Sequence, residues 1–215
     1  MKYRLIVFDW DGTIIDSPGA IVECIQEAAR DMGLAVPSAG QASHVIGLGL
    51  RDSLLHAVPE LPDARYAEFV ALYRKHFLQR EDAMKVFSGI REILEELKKD
   101  RVLAIATGKS RRGLERALAH TRTSGYFTAS RCADETQPKP HPAMLLELME
   151  ELDVGRRQVL MIGDTSHDLE MARAAEVDAV AVSYGAHAEE GLRACAPLAC
   201  HSTVPSLHAW LRKNA

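Results

Sequence analysis

The sequence has little of what marks membrane, secreted and disulfide-rich proteins. It has four scattered cysteines among 215 residues, with no spacing that suggests a disulfide framework. No apolar run approaches the length of a membrane span, and the first residues enter a strand pattern without a small-residue cleavage site. We therefore expect a cytoplasmic protein, in a reducing setting, that has no membrane partner.

An excess of basic residues, internal repeats and low-complexity tracts are also missing. The formal net charge is −4, which argues against nucleic acid as the main partner. What the sequence does contain is 47% hydrophobic residues, enough to bury a core in one domain with an insertion or in two small domains. Any activity must therefore be sought in particular motifs.

The most informative stretch is the first apolar run and the residues that follow it. Residues 5–8 are a short run of apolar residues, as expected for a strand of a parallel sheet that is covered on both faces. Asp9 and Asp11 follow directly, and two neighbouring carboxylates are costly unless a cation or a proton relieves their repulsion. This pattern predicts a metal site, or a nucleophile beside an acid/base; an ordinary Asp-Gly turn is the simpler alternative.

The rest of the chain divides into a helical part and an alternating part. Between residues 16 and 86 we find only helical patterns, including a helix start at Ser17-Pro18 and a possible capping box from Ser38 to Gln41. From residue 87 onward helices alternate with strands predicted at 102–106, 126–130, 159–162 and 179–182. We therefore predict an α/β fold with a doubly wound parallel sheet formed by residues 1–15 and 87–215, and a helical insertion at 16–86.

Polar residues of complementary kinds follow the predicted strands. Because the carboxyl ends of parallel strands open on one edge of the sheet, we expect these residues to converge there. They are Asp9, Asp11, Thr107, Asp164 and Asp168, with Lys139 in a proline-rich loop between them. Several carboxylates suit a hard cation such as Mg²⁺, and a hydroxyl, backbone N–H groups and a lysine suit a phosphate.

This set of residues predicts phosphoryl transfer through a covalent intermediate. Asp9 can act as the nucleophile and form an aspartyl phosphate. Asp11 can protonate the leaving alkoxide and later activate water. Hydrolysis of a phosphate monoester needs accelerations of up to ~10²¹-fold, which favours a metal, a lysine and a covalent step acting together.

The chain resembles the haloacid dehalogenase superfamily of aspartate-nucleophile phosphatases over essentially its whole length. Asp9-Trp10-Asp11-Gly12-Thr13 resembles the first motif of this superfamily, and the run from Gly163 to Asp168 resembles the fourth. Thr107 resembles the second motif and Lys139, in Lys-Pro-His-Pro, the third. Four motifs in the right order are a specific signal, whereas any one alone is weak.

The resemblance implies a Rossmann-like core, a Mg²⁺ cofactor and a cap. It implies that Mg²⁺ is held by Asp9, by the backbone carbonyl of Asp11 and by Asp164, with Asp168 in support. It implies that the helical insertion is a cap that closes over the substrate. Within the superfamily the phosphoglycolate phosphatases look most similar, on the basis of Gly47-Leu48-Gly49, Thr107-Gly108-Lys109 and the run from Val182 to Gly185.

Several candidate site residues have a second interpretation from the sequence. Thr107, Gly108 and Lys109 are candidates for binding the substrate, although Lys109 could equally face solvent. Arg51 is a candidate for a substrate carboxylate or an ordinary surface residue. Asp168 could simply begin its helix.

Two other activities use similar residues. A phosphosugar mutase of the same superfamily is disfavoured because such mutases carry a histidine in the first cap helix, and residues 17–33 contain none. A phosphorylation-controlled signalling domain shares the fold and the residue types, but has no need of the insertion. The expected partner is a small phosphorylated substrate, while the sequence leaves its identity and the oligomeric state open.

Overall fold

A computed structural model, which describes residues 2–215, contains one six-stranded sheet in which every strand is parallel to its neighbours. The strands lie in the order β3-β2-β1-β4-β5-β6. They are β1 (Leu5–Phe8), β2 (Val102–Thr107), β3 (Ala129–Cys132), β4 (Val159–Gly163), β5 (Asp178–Val182) and β6 (Ala199–His201). The order reverses at β1, so the crevice that such a reversal creates lies beside the first strand.

Ten α-helices surround this sheet in the part of the chain that is described. Four belong to the helical insertion: α1 (Pro18–Asp31), α2 (Ala39–His44), α3 (Leu50–Ala57) and α4 (Tyr66–Arg80). The others are α5 (Ile90–Leu97), α6 (Arg111–Thr121), α7 (Ala143–Glu151), α8 (Ser166–Ala174), α9 (Glu189–Ala194) and α10 (Val204–Asn214). None of the helices described is long and apolar enough to cross a membrane.

The central strand explains why the sheet is covered on both faces. All four of its side chains are buried: Ile6 and Phe8 face one layer of helices, and Leu5 and Val7 face the other. Helices α7 and α8 cover the Leu5 side, whereas α5, α6, α10 and the insertion share the core on the Ile6 side. A strand that is apolar on both faces must be covered twice, and the predicted doubly wound α/β fold is confirmed.

The helical insertion leaves and rejoins the sheet at one place. Ile15 and Val86 form an antiparallel bridge, and the Asp16 N–H donates to the carbonyl of Lys85 at 2.9 Å. The Phe87 N–H donates to the carbonyl of Ile14 at 3.0 Å. The two connecting segments therefore run side by side, and α1 packs against α4 beyond them.

Local signals located several elements well and others poorly. The capping box at the start of α2 is present, with the Gln41 N–H on the Ser38 hydroxyl and the Ser38 N–H on the Gln41 side chain. The strand predicted at 126–130 begins at Ala129 instead, because residues 124–126 form a 3₁₀ turn. Helix α8 begins at Ser166, directly after Thr165, which caps it.

Candidate active site

The site lies where β1, β2 and β4 end. Asp9 follows β1, Thr107 is the last residue of β2, and Asp164 follows β4. Since β1 pairs with both β2 and β4, these three residues lie on adjacent strands. Carboxylate oxygens of Asp9, Asp164 and Asp168 all lie within 4.8 Å of one another, and all three residues are buried. We call these three residues the carboxylate cluster.

Lys139 carries the positive charge that faces this cluster. Its Nζ atom lies 2.7 Å from Asp9 Oδ1 and 2.6 Å from Asp168 Oδ1, and its side chain is 0% exposed. Burial alone would lower the pKa of this amine, but the charges of Asp168 and Asp9 raise it above its usual value. The lysine is therefore held in its charged form.

Asp9 has a raised pKa and one oxygen without a hydrogen-bond partner. Burial raises its pKa to about 7, while the charge of Lys139 opposes this shift and the charge of Asp168 adds to it. One oxygen, Oδ1, accepts from Lys139, whereas Oδ2 is buried and has no hydrogen-bond partner. A buried polar atom without a partner costs free energy, so this oxygen is suited to a cation or a reacting group.

Asp164 is held in a fixed orientation by its surroundings. The Thr13 hydroxyl donates to Oδ1 at 2.7 Å, and the Ala186 N–H donates to Oδ2 at 2.7 Å. A Cβ atom on Gly12 would lie 2.1 Å from Asp164 Oδ2, and one on Gly185 would lie 2.2 Å from it. Only glycine leaves room for this carboxylate at both positions, and burial raises its pKa well above the usual value.

Asp168 has two roles within the protein itself. Its Oδ1 atom faces Lys139, and its Oδ2 atom accepts from the Thr165 hydroxyl at 2.7 Å and from the Thr165 N–H at 3.1 Å. The Thr165 N–H bond, together with the bond from the Asp168 N–H to the Thr165 hydroxyl at 3.4 Å, forms the capping box that starts α8. Asp168 therefore begins its helix, as one sequence interpretation had it, and also anchors Lys139.

The carboxylate cluster is well suited to Mg²⁺. The cluster holds three buried carboxylates and one buried lysine, which contacts Asp9 and Asp168, and one oxygen of Asp9 has no partner. Mg²⁺ prefers a small number of carboxylate oxygens and takes its other ligands from water and substrate phosphate. The donor set therefore fits this ion in type and in charge.

Asp11 lies apart from the cluster and is held by two other residues. Its oxygens lie 3.0 and 2.9 Å from Lys109 Nζ, and the Ser17 hydroxyl donates to Oδ1 at 2.7 Å. Ser17 occupies the N-cap position of α1, as predicted, but its hydroxyl makes no capping bond. Lys109 also lies 4.7 Å from the centre of the Phe77 ring, so it faces the site rather than open solvent.

A cavity of about 530 Å³ opens from Asp9 and Asp11. Thr107, Gly108 and Lys109 form part of its wall, and the insertion supplies much of the rest. The loop of the insertion lies very close to the loop after β2, since a Cβ atom on Gly108 would lie 2.4 Å from the Leu48 carbonyl.

Arg51 lies outside this cavity. Its side chain is 59% exposed, bonds to Asp63 at 3.1 Å and lies 5.0 Å from the centre of the Tyr66 ring. The cavity instead includes three arginines that the sequence analysis did not single out: Arg74, Arg112 and Arg116. The i, i+4 spacing of Arg112 and Arg116 on the helix after Thr107 was the available signal.

Three histidines join the insertion to the α/β part. Nε2 of His167 lies 2.9 Å from the His44 carbonyl, and Nε2 of His187 lies 3.1 Å from the same oxygen. A carbonyl only accepts, so both Nε2 atoms carry protons. His187 also accepts from the Ser166 N–H through Nδ1, and burial lowers its pKa to about 4. His187 is therefore neutral near pH 7.

The comparisons with known proteins agree with this geometry. The family model described as haloacid dehalogenase-like hydrolase matches residues 6–182. The chain belongs to this family. It is 33% identical to the "Probable phosphatase IndB" of Dickeya dadantii, with 98% of this chain and 96% of that protein covered.

A further curated relative and a solved structure are also similar to this chain. The chain is 33% identical to a phosphoglycolate phosphatase of Aquifex aeolicus, with 80% of this chain and 81% of that protein covered. It superposes on a crystal structure of a predicted phosphoglycolate phosphatase from Haemophilus somnus with a TM-score of 0.89 at 22% identity, covering 100% of this chain and 99% of the other. The predicted family and fold are confirmed, as is the prediction of a hydrolase.

Proposed function

We propose that this protein hydrolyses a small phosphomonoester, similar to phosphoglycolate, through an aspartyl phosphate on Asp9. The observation that carries the proposal is the environment of the Asp9 carboxylate. Its Oδ2 atom is buried without a partner, its other oxygen is fixed by Lys139, and the residue lines the cavity. A carboxylate oriented in this way is suited to attack a phosphorus atom.

The neighbouring residues supply the remaining steps. Asp9 attacks phosphorus while the bond to the leaving oxygen breaks, and Asp11 gives that oxygen a proton. Asp11 then takes a proton from a water that attacks the aspartyl phosphate, which releases phosphate and restores Asp9. The Thr107 oxygen accepts from the Lys109 N–H at 3.2 Å, so its own proton is free to bind a phosphoryl oxygen.

We propose that Asp9, the backbone carbonyl of Asp11 and Asp164 hold Mg²⁺, and that Asp168 supports them through Lys139. When bound, this ion offsets the negative charge that Asp9 and the phosphoryl group bring together. The fixed orientation of Asp164 and the lone Oδ2 of Asp9 support this assignment.

We further propose that residues 16–86 form a cap domain that covers the substrate, and that residues 1–15 and 87–215 form the core. The paired segments at Ile15 and Val86 support this division. A cytoplasmic location remains part of the proposal, in keeping with the four cysteines, all of which are unpaired.

The test is phosphate release from a panel of phosphomonoesters, with Mg²⁺ and with EDTA. Asp9→Asn should abolish turnover, because an amide cannot form the aspartyl phosphate. Asp16→Asn removes a similar charge at an exposed position and should keep activity within about twofold. Full turnover by Asp9→Asn, or full activity in EDTA, would contradict the proposal.

A further inference from the structure

The cavity is larger than a two-carbon phosphorylated acid requires. Its volume of about 530 Å³ lies within the range of ~300–1,000 Å³ that is typical of sites for drug-sized ligands. In the proposed reaction the phosphoryl group lies beside Asp9 and Thr107, so the remaining space would accommodate the part of the substrate beyond the ester oxygen.

Much of the wall that the insertion gives to the cavity is apolar. Ile21, Ile25, Leu54 and Phe77 line it, all four come from the insertion, and all four are buried. Such a wall gives a carboxylate or hydroxyl no hydrogen bond, and it favours methylene groups that leave water on binding.

Two arginines from different helices lie on the wall of the same cavity. Arg74 belongs to α4 of the insertion and Arg112 to α6, and both are exposed. Across residues 2–215 no hydrogen bond or ion pair involves either guanidinium. By contrast, Arg116 is paired with Glu81 at 2.6 Å.

The carboxylate of Asp134 forms no ion pair with either of these arginines. Asp134, which also lines the cavity, accepts from the Arg111 N–H at 2.8 Å at the start of α6. A guanidinium group with unpaired donors can bind a carboxylate or a phosphate, and this cavity has two of them, on separate helices.

We infer that the substrate is an extended phosphomonoester with an apolar middle part and a second anionic group, which Arg74 and Arg112 bind. This inference rests on the proposed phosphatase activity and specifies its substrate class: the substrate shares with phosphoglycolate the phosphate ester and a second anion, but has a longer apolar part between them. The second anion is a carboxylate or a further phosphate, since a guanidinium binds both.

The test compares esters that differ only in the far end. We would measure kcat/KM for hexyl phosphate, 6-phosphooxyhexanoate and hexane-1,6-diyl bisphosphate, with phosphoglycolate as the short reference. The wild type should prefer the two long anionic esters over hexyl phosphate by ~10-fold or more. The stronger of the two identifies the second anion.

The variants then assign the preference to the arginines. Arg74→Gln with Arg112→Gln should lower kcat/KM for the long anionic esters by ~10- to 100-fold, mainly through KM, and leave hexyl phosphate within about twofold. Lys75→Gln with Lys99→Gln removes the same charge at exposed positions outside the cavity and should leave the preference intact. An equal loss of kcat/KM for esters with and without the second anion would overturn the inference. So would a preference of the wild type for phosphoglycolate over the long esters.

A binding measurement distinguishes failure of this inference from failure of the proposed function. In the Asp9→Asn protein, calorimetry should show tighter binding of 6-phosphooxyhexanoate than of hexyl phosphate, and the arginine variants should remove the difference. Equal binding would overturn the inference even if phosphate is released. Failure of the wild type to hydrolyse any ester would instead contradict the proposed function.

Discussion

Replacing Lys139 with methionine should destabilise the protein strongly, and more at high pH than at low pH. The variant keeps the volume of the side chain but leaves Asp9 and Asp168 buried without the cation that lies 2.7 and 2.6 Å from them. Removing one partner of a buried ion pair costs about 3–5 kcal/mol, a large part of the ~5–15 kcal/mol that holds a typical domain folded.

The pH dependence follows from Asp9. Its pKa of about 7 in the folded protein lies above the 3.8 of an unperturbed aspartate, chiefly because it is buried. Such a group contributes stability that is fully present below about pH 4 and is lost as the pH rises through 7. Without Lys139 the folded pKa rises further, so the penalty of the variant should be larger at pH 8 than at pH 5.

Urea unfolding in EDTA at the two pH values measures this effect. At pH 8 the urea midpoint of the variant should be lower by about 2 M for a slope near 2 kcal/mol/M. Millimolar Mg²⁺ in place of EDTA should restore part of the lost stability. Lys2→Met is the matched control, because Lys2 and its partner Asp178, 2.7 Å away, lie at the surface, and it should cost less than about 1 kcal/mol. A penalty for Lys139→Met below 1 kcal/mol, or one that is equal at both pH values, would refute the reasoning.

Two further variants probe the residues around this cluster. Ser17→Ala removes the hydroxyl that holds Asp11 and should lower kcat by ~10-fold while the stability changes by less than 1 kcal/mol, since this hydroxyl does not cap α1; an unchanged kcat contradicts the assignment. Gly185→Ala would bring a methyl group to 2.2 Å from Asp164, so Mg²⁺ should no longer stabilise the protein in thermal unfolding. Gly191→Ala, where the added atom meets nothing within 4 Å, should behave as wild type.

The sheet and the positions of its polar strand ends could be predicted because local patterns determine them. A short apolar run followed by Asp9 is a buried parallel strand with a carboxylate at its end, and Thr107 and Asp164 follow the same rule. Pairing β1 with both β2 and β4 then brings these residues to one edge. The edge strand β6 has only three residues, too few for a pattern to mark it.

Contacts between the insertion and the sheet could not be predicted in the same way. Arg51 lies beside the glycines at 47 and 49 in sequence, but its position on α3 directs it to Asp63. Arg74 reaches the cavity only because α4 packs over the crevice, and no local pattern encodes that contact. The position of Ser17 was predictable as a helix start, whereas its bond to Asp11 depends on a residue in another element.

The pairing of the two segments that connect the insertion to the sheet has a consequence for how such enzymes can be altered. Residues 14–16 and 85–87 are hydrogen-bonded to each other. The insertion between them is therefore a loop whose two ends are held together at the α/β part. The entropy of closing a loop grows only slowly with its length, so this junction tolerates insertions of other sizes. A foreign insertion joined at these two segments would exchange the apolar wall and Arg74 as one module, while Asp9, Lys139 and Asp164 remain unchanged.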